Sequence, residues 1–487
     1  LISIVLSMTF LSATWFNSIP RSLYQPDGEY LECFITGDQY SRRLHDINDF
    51  TIVHNKENGF FYYAQKDSDG SLIPSTIIAG RGNPRNIGLE PGYSLGKEDY
   101  NRKRQLYHQD ESIRSNRDAP NTGEINQINV FIRFADDPEF PENRSFYSEI
   151  FDTEGNGPSL KHYFSEISHD RLMINTLHFP GSLDGSNASY TDNHERSYYQ
   201  PYSAANSNGY QSQSDRFLRE HSLVANALNS ISQSVSSSVD LDLDDNGFVD
   251  AVSIVVYGTQ DAWADLLWPH RTALFNEEVH INGVQVYDYL FMLSESFYYN
   301  VGVLCHEFGH VLGAPDYYHY NAGSGPTPIG YWDVMGSVRN PPQYPSAFTK
   351  WKYFNWIEPV EITRSGTYSL MPLQEQEKSS FFVPSPFSDE EYFIFEYRNQ
   401  EGLYDSNAPG TRSGLVAYRV NEAAGNGNAS GPPDELYVYR PQGDINSTGN
   451  LNDAPYSDVY GHVELNDFSD PSCFLYNVGE GGIGGLQ

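Results

Sequence analysis

The stretch Val301 to Asp316, reading VGVLCHEFGHVLGAPD, constrains this chain more than any other. Val301, Leu304, Phe308 and Val311 recur at helical spacing, which predicts a helix with an apolar face that must be buried. The same helix carries His306, Glu307 and His310. Positions i and i+4 stand nearly above one another, so the two imidazoles share one side, with a carboxylate directly after the first. Polar groups on a helix that is otherwise core must look into a cleft, and this trio at this spacing suits Zn²⁺. A catalytic zinc usually takes three protein ligands; Gly313 can adopt the left-handed cap that ends the helix and swings Asp316 back as the third. His319, three residues further on, is the competing third ligand.

The run His306-Glu307-Phe308-Gly309-His310-Val311-Leu312-Gly313-Ala314-Pro315-Asp316 resembles the zinc signature of metzincin peptidases in the form used by the immune inhibitor A family, where the third ligand is Asp. Downstream, Gly330-Tyr331-Trp332-Asp333-Val334-Met335-Gly336-Ser337 is similar to that family's Met-turn. The resemblance favours Asp316 over His319 and implies that Met335 forms a hydrophobic floor beneath the ligands without binding the metal. It covers residues 125–360 well and the flanking regions loosely.

At 487 residues the chain exceeds what one core usually serves, so two or three domains are expected. Lys plus Arg number 30 against 64 Asp plus Glu, a net charge of −34 that argues against nucleic-acid or anionic-membrane partners. Three cysteines, Cys33, Cys305 and Cys473, are too few for a disulfide scaffold, but do not exclude export.

The uncharged apolar start reads as part of a signal peptide (residues 1–20), too short to span a bilayer, which predicts a secreted protein with no membrane span once mature. Residues 21–91 alternate short apolar runs with turn signals, a strand-rich module whose position resembles the prosegment of a secreted zymogen. Cys33 within it is read as a buried or free thiol, the alternative being a thiolate that blocks zinc. Residues 92–124 read as a linker, and the basic run Asn101 to Gln105 makes it a place for maturation cleavage.

The catalytic domain is expected over 125–358. Ile128, Val130, Ile132 and Phe134 alternate as in a strand with one face in a core. Ser159 caps a helix with Leu160, Phe164 and Ile167, a strand follows at Leu172 to Phe179, and Ser214 or Asp215 opens a helix with Phe217, Leu218, Val224 and Leu228 on its inner face. His162 and His221 on these helices read as structural. After them, Asp242, Asp244, Asn246, the carbonyl of Phe248, and Asp250 place oxygens at alternate positions around Gly247, as in the first half of an EF-hand loop, and predict a structural Ca²⁺ site. Ser253 stands where the bidentate Glu would be, and a plain Asp-rich turn is the alternative. The β-branched run behind it, Ala251 to Tyr257, suits a buried central strand. Trp268-Pro269-His270 resembles an element recurring in the family, with no readable role. Val284 to Leu293 is expected to be an edge strand that aligns substrate.

Beyond Glu358, segments at Gly366 to Leu370, Tyr392 to Arg398, Gly414 to Val420 and Leu436 to Arg440 predict a β-rich, sandwich-like C-terminal domain over 359–487, with sequence missing beyond it. The fold class expected is therefore α+β: a metzincin-like catalytic domain with an N-terminal prosegment and a C-terminal β-rich domain. His306, His310 and Asp316 would bind zinc and Glu307 would act as general base on protein or peptide substrates. The competing reading is an extracellular binding or adhesion protein on a degenerate metallopeptidase scaffold.

Overall fold

The computed structural model describes residues 16–37, 42–67, 71–94, 118–153, 155, 157–182, 185–259, 270–295, 299–320, 325–375, 378–476 and 484–486. The start of the leader, the basic linker run, Trp268-Pro269 and most of the Gly-rich C-terminal end lie outside the described residues. Among the described residues, few helices stand among several sheets, which fits an α+β fold, and no helix is long and apolar enough to cross a membrane.

The N-terminal part is a six-stranded antiparallel meander, β1 (Phe16–Tyr24), β2 (Tyr30–Gly37), β3 (Arg42–His45), β4 (Thr51–His54), β5 (Phe61–Lys66) and β6 (Leu72–Ile78). β1 begins within the segment read as leader, since Phe16 pairs with Gly37 and Ile19 with Ile35. Cys33 is fully buried in β2, and burial pushes its thiol up to about 11, the opposite of what a metal-binding thiolate requires.

The central sheet is built from β7 (Gly123–Arg133), β8 (Leu172–Phe179), β10 (Val252–Val256), β11 (His270–Ala273) and β14 (Asp288–Leu293), in the order β11-β14-β10-β7-β8. The short β9 (Tyr190–Thr191) also pairs with β7. The pairs from β14 to β8 are parallel and β11 is antiparallel to β14. Parallel strands are covered on both faces, and β10 is accordingly buried throughout. β7 differs from expectation for the same reason: Asn129 and Phe131 between the alternating residues are also fully buried. Its two faces serve two cores. Ile128, Val130 and Ile132 pack in the core that includes Leu223, Val224 and Leu228 of helix α2 (Gln213–Ile231), while Phe131 joins the one that includes Leu304, Phe308 and Met335.

Helix α1 (Leu160–Ile167) starts at Ser159, whose hydroxyl accepts from the His162 N–H, and α2 starts at Ser212, two residues before the expected cap. Leu218, expected on the inner face of α2, is 53% exposed. The expected edge strand is corrected more substantially. Val284–Val286 (β13) pairs with β12 (Val279–Ile281) in a separate hairpin, and β14 is interior, between β10 and β11, so β11 forms that edge. A ten-residue strand read as one apolar run is in fact two strands broken at Tyr287.

The C-terminal part is one five-stranded sheet, β15 (Val360–Glu361), β16 (Ser380–Pro384), β17 (Glu391–Arg398), β18 (Gly414–Asn421) and β19 (Leu436–Val438), rather than the two facing sheets of a sandwich among the described residues. Residues 366–370 are not a strand; β16 takes that place beside β17. One face shares a core with Trp332 and Phe348, and the other packs on Phe474 and Leu475. The sheet is thus built onto the central part, with no room for a second sheet against the first face.

Candidate metal centre

Helix α3 (Val301–Val311) opens at Asn300, whose side chain accepts from the Val303 N–H, and all of its residues but His310 are buried. It ends as the sequence suggests: Gly313 takes a φ of +93°, with its N–H donating to His310 O and that of Ala314 to Gly309 O. The same glycine lets the Asp118 carboxylate approach closely, since a Cβ there would lie 2.9 Å from Asp118 Oδ2. Asp118 also lies 3.8 Å from Arg271 of β11, and the N–H of Ala119 donates to Val311 O, so the helix end is pinned from two sides.

Both imidazoles are oriented by backbone carbonyls. His306 Nδ1 lies 2.8 Å from Val334 O, and His310 Nδ1 lies 2.8 Å from Ala314 O. A carbonyl only accepts, so each Nδ1 donates to it and Nε2 is the nitrogen left to face a metal, the orientation a histidine ligand needs. The two Nε2 atoms are 3.1 and 3.3 Å from Asp316 Oδ1, and the rings stand perpendicular. Candidate ligand atoms of His306, His310 and Asp316 all lie within 4.8 Å of one another. Burial works against the charge of Asp316, but the imidazoles outweigh it and hold its carboxyl far below the usual range. His319, the competing third ligand, instead pairs with Asp434.

Glu307 lies outside that converging group. It is fully buried, and neither carboxyl oxygen has a hydrogen-bond partner. Burial raises its carboxyl above the ordinary range, opposed by the charges of His306 and His310. An unpartnered buried carboxylate is costly. The donor set of two imidazoles turned by their Nδ1 bonds and one carboxylate, with this orphaned acid beside it, fits a borderline-soft divalent cation such as zinc.

Met335 lies under the helix. It is fully buried, its N–H donates to Asp333 Oδ1, and its carbonyl accepts from the Tyr317 N–H, one residue after Asp316. A Cβ on Gly309 would fall 2.5 Å from its sulfur, so the glycine lets the thioether touch the helix backbone.

The acidic loop brings Asp242, Asp244 and Asp250 to within 4.8 Å of one another. Asn246 turns inside it, donating its amide to Asp244 and accepting from the Phe248 N–H, and Phe248 pairs with Gln285 in a parallel bridge. Asp245 and Gly247 take positive φ, which curls the loop. Asp250 Oδ1 is buried without a partner, and burial, with Asp244, Asp242 and Asp240 adding, pushes the carboxyl up to about 7. The loop leads directly into β10.

Some functional-region residues escape a reading of the sequence. Tyr320 donates its hydroxyl to Asp316 Oδ2. His270 Nε2 lies 2.8 Å from the fully buried Glu220, which also accepts from the Tyr289 hydroxyl. Nothing in local spacing links Glu220 to His270; of the other histidines, His162 on α1 meets the Tyr404 hydroxyl and His221 on α2 accepts from the Asn276 N–H.

No curated protein matches the chain. Residues 243–347, which hold most of the acidic loop, β10, helix α3, Asp316 and Met335, match the family model of the immune inhibitor A peptidase M6, catalytic domain, so this segment is similar to the catalytic domain of a metallopeptidase family.

Proposed function

We propose that the chain is a secreted zinc-dependent endopeptidase of metzincin-like architecture, with Glu307 as general base. The observation that carries this reading is the convergence of His306 Nε2, His310 Nε2 and Asp316 Oδ1 beside the buried, unpartnered carboxyl of Glu307. Zinc held by the three would lower the pKa of water toward neutrality and polarise a scissile carbonyl. Glu307, one residue from a ligand, is suited to take the proton of the attacking water and hand it to the leaving amine. Its burial supports this role, because a raised carboxyl pKa brings it closer to the proton it must carry. Met335 packs beneath the ligands and takes no proton.

The apolar start of the sequence supports export, and the six-stranded meander ahead of the polar stretch 92–124 supports a prosegment removed on maturation. Asp242, Asp244 and Asp250, with Asn246 and the Phe248 carbonyl, are assigned a structural Ca²⁺; the orphaned Asp250 Oδ1 in a carboxylate cluster is the supporting observation. Digestion of an unfolded protein such as casein tests the whole reading. Turnover is expected to vanish with a zinc chelator and in Glu307→Gln, while Glu307→Gln keeps its zinc. Activity that survives both changes would exclude the mechanism, and a zinc-replete wild type that cleaves nothing would favour the binding-protein alternative. Sequencing the N-terminus of the secreted product tests the prosegment, since a start near residue 20 would mean no cleavage in the linker.

A further inference from the structure

Asp316 is held by residues far along the chain. Its Oδ1 faces both imidazoles, and its Oδ2 accepts from the Tyr320 hydroxyl. Tyr320 is buried, and its backbone N–H donates to Ala429 O at 3.2 Å. The N–H of Asn428 donates to the Asp316 carbonyl at 2.8 Å. The Asn428 side chain donates to Tyr317 O at 3.1 Å and Leu436 O at 2.7 Å, and accepts from the Leu436 N–H at 3.0 Å. Leu436 opens β19, so this chain of bonds runs from the C-terminal sheet to the third ligand. At Gly427 the approach is so close that a Cβ would lie 2.3 Å from Asp316 O.

The chemistry of such an arrangement is specific. A carboxylate with both oxygens free can grip a cation through one or two atoms and can rotate about its last bond. With Oδ2 engaged by a phenol, only Oδ1 is presented, in a fixed direction. We propose that Tyr320, seated by the 427–429 segment, is the positioning residue of the metal centre and holds Asp316 in a single-oxygen pose, so that cation affinity depends on the C-terminal region. This rests on the zinc reading given above.

The test is a zinc titration of the full chain against a chromophoric chelator, with visible spectra of the Co²⁺-loaded protein, for wild type, Tyr320→Phe, Gly427→Ala and Asp316→Ala. Removing a group that orients a ligand costs about 10–100-fold in metal affinity, and that loss is expected in Tyr320→Phe. Its Co²⁺ bands should also weaken, as a freed carboxylate raises the coordination number, a change that a merely structural role would not produce. Gly427→Ala should weaken binding in the same direction; if it does not fold, Tyr320→Phe, which removes a single oxygen atom, still decides. Wild-type zinc affinity and an unaltered Co²⁺ spectrum in Tyr320→Phe would overturn the proposal. If Asp316→Ala binds zinc like wild type, or wild type binds none, the ligand assignment itself has failed and the proposal falls with it.

Discussion

The contact between Gly309 and Met335 gives a perturbation whose size follows from the geometry. An alanine at Gly309 gains about 1 kcal/mol in helix propensity. Its methyl, however, would sit 2.5 Å from the Met335 sulfur and 3.2 Å from its terminal carbon, inside a region with no exposure. Overpacking of this kind costs about 1–3 kcal/mol, so Gly309→Ala should be destabilising by about 0–2 kcal/mol despite the better helix former. Met335→Ala alone should cost about 2–5 kcal/mol, as for other buried methionines. In the double variant the new methyl enters space the sulfur has left, so the clash disappears and the propensity gain remains. Gly309→Ala should therefore stabilise the Met335→Ala background by about 1 kcal/mol, a reversal of sign with a coupling of about −1 to −3 kcal/mol. Urea denaturation of the chelator-treated protein reads this directly. Effects that add to within about 0.5 kcal/mol would refute the claim that Met335 presses on the helix at Gly309.

Other perturbations separate the parts of the structure. Gly302→Ala on the same helix meets the Arg339 carbonyl oxygen at 2.1 Å and Val338 Cγ1 at 2.6 Å; backbone cannot swing aside as a thioether can, so the urea midpoint should fall further than for Gly309→Ala, and equal midpoints would count against the packing described. Removing Ca²⁺ with a selective chelator should lower the melting temperature of wild type but not of Asp242→Asn, with a loss of about 3 kcal/mol if the ion had been present at a hundred times its Kd. Identical melting curves with and without chelator would exclude the calcium assignment. His221 is fully buried, and burial lowers it from 6.5 to about 4, with Glu220 opposing and Arg216 and His270 adding. The unfolded imidazole takes up its proton first as pH falls, so stability present above pH 6.5 should be lost between 6.5 and 4, by up to about 3 kcal/mol. A stability–pH curve over that range no steeper in wild type than in His221→Phe would refute it.

What the sequence disclosed about the fold was local in origin. Asn300, Val301 to Val311 and Gly313 lie in one continuous stretch, and their cap, period and stop are properties of neighbouring residues. Ser159, the strand at Leu172 to Phe179 and the apolar run of β10 were legible for the same reason. The misreadings share a non-local cause. Whether Val284 to Leu293 is one edge strand or two segments depends on β10 and β11, which come from elsewhere in the chain. A sheet that buries one face against Trp332 and Phe348 has the same alternating sequence as one half of a sandwich. At the site, the ligands are close in sequence while their supports are not: Val334 O orients His306, Asp118 faces Gly313, and Asn428 holds the Asp316 backbone.

That division has a physical basis. Helix α3 contains a sharp local conflict, two imidazoles and a carboxylate on a helix buried almost throughout. Sequences ordinarily agree with their structure at every level, and the violations concentrate at functional sites, where other parts of the fold must offset the cost. Here the offsets can be named. Val334 and Ala314 satisfy the Nδ1 protons, Tyr320 satisfies one oxygen of Asp316, and Asn428 fixes the backbone that carries it. Glu307 receives no such compensation at either oxygen, and Asp316 keeps Oδ1 without a hydrogen-bond partner. The unpartnered atoms, Asp316 Oδ1 and both oxygens of Glu307, thus gather on the side of the helix where the imidazoles converge, which is the arrangement the proposed zinc and general-base roles call for.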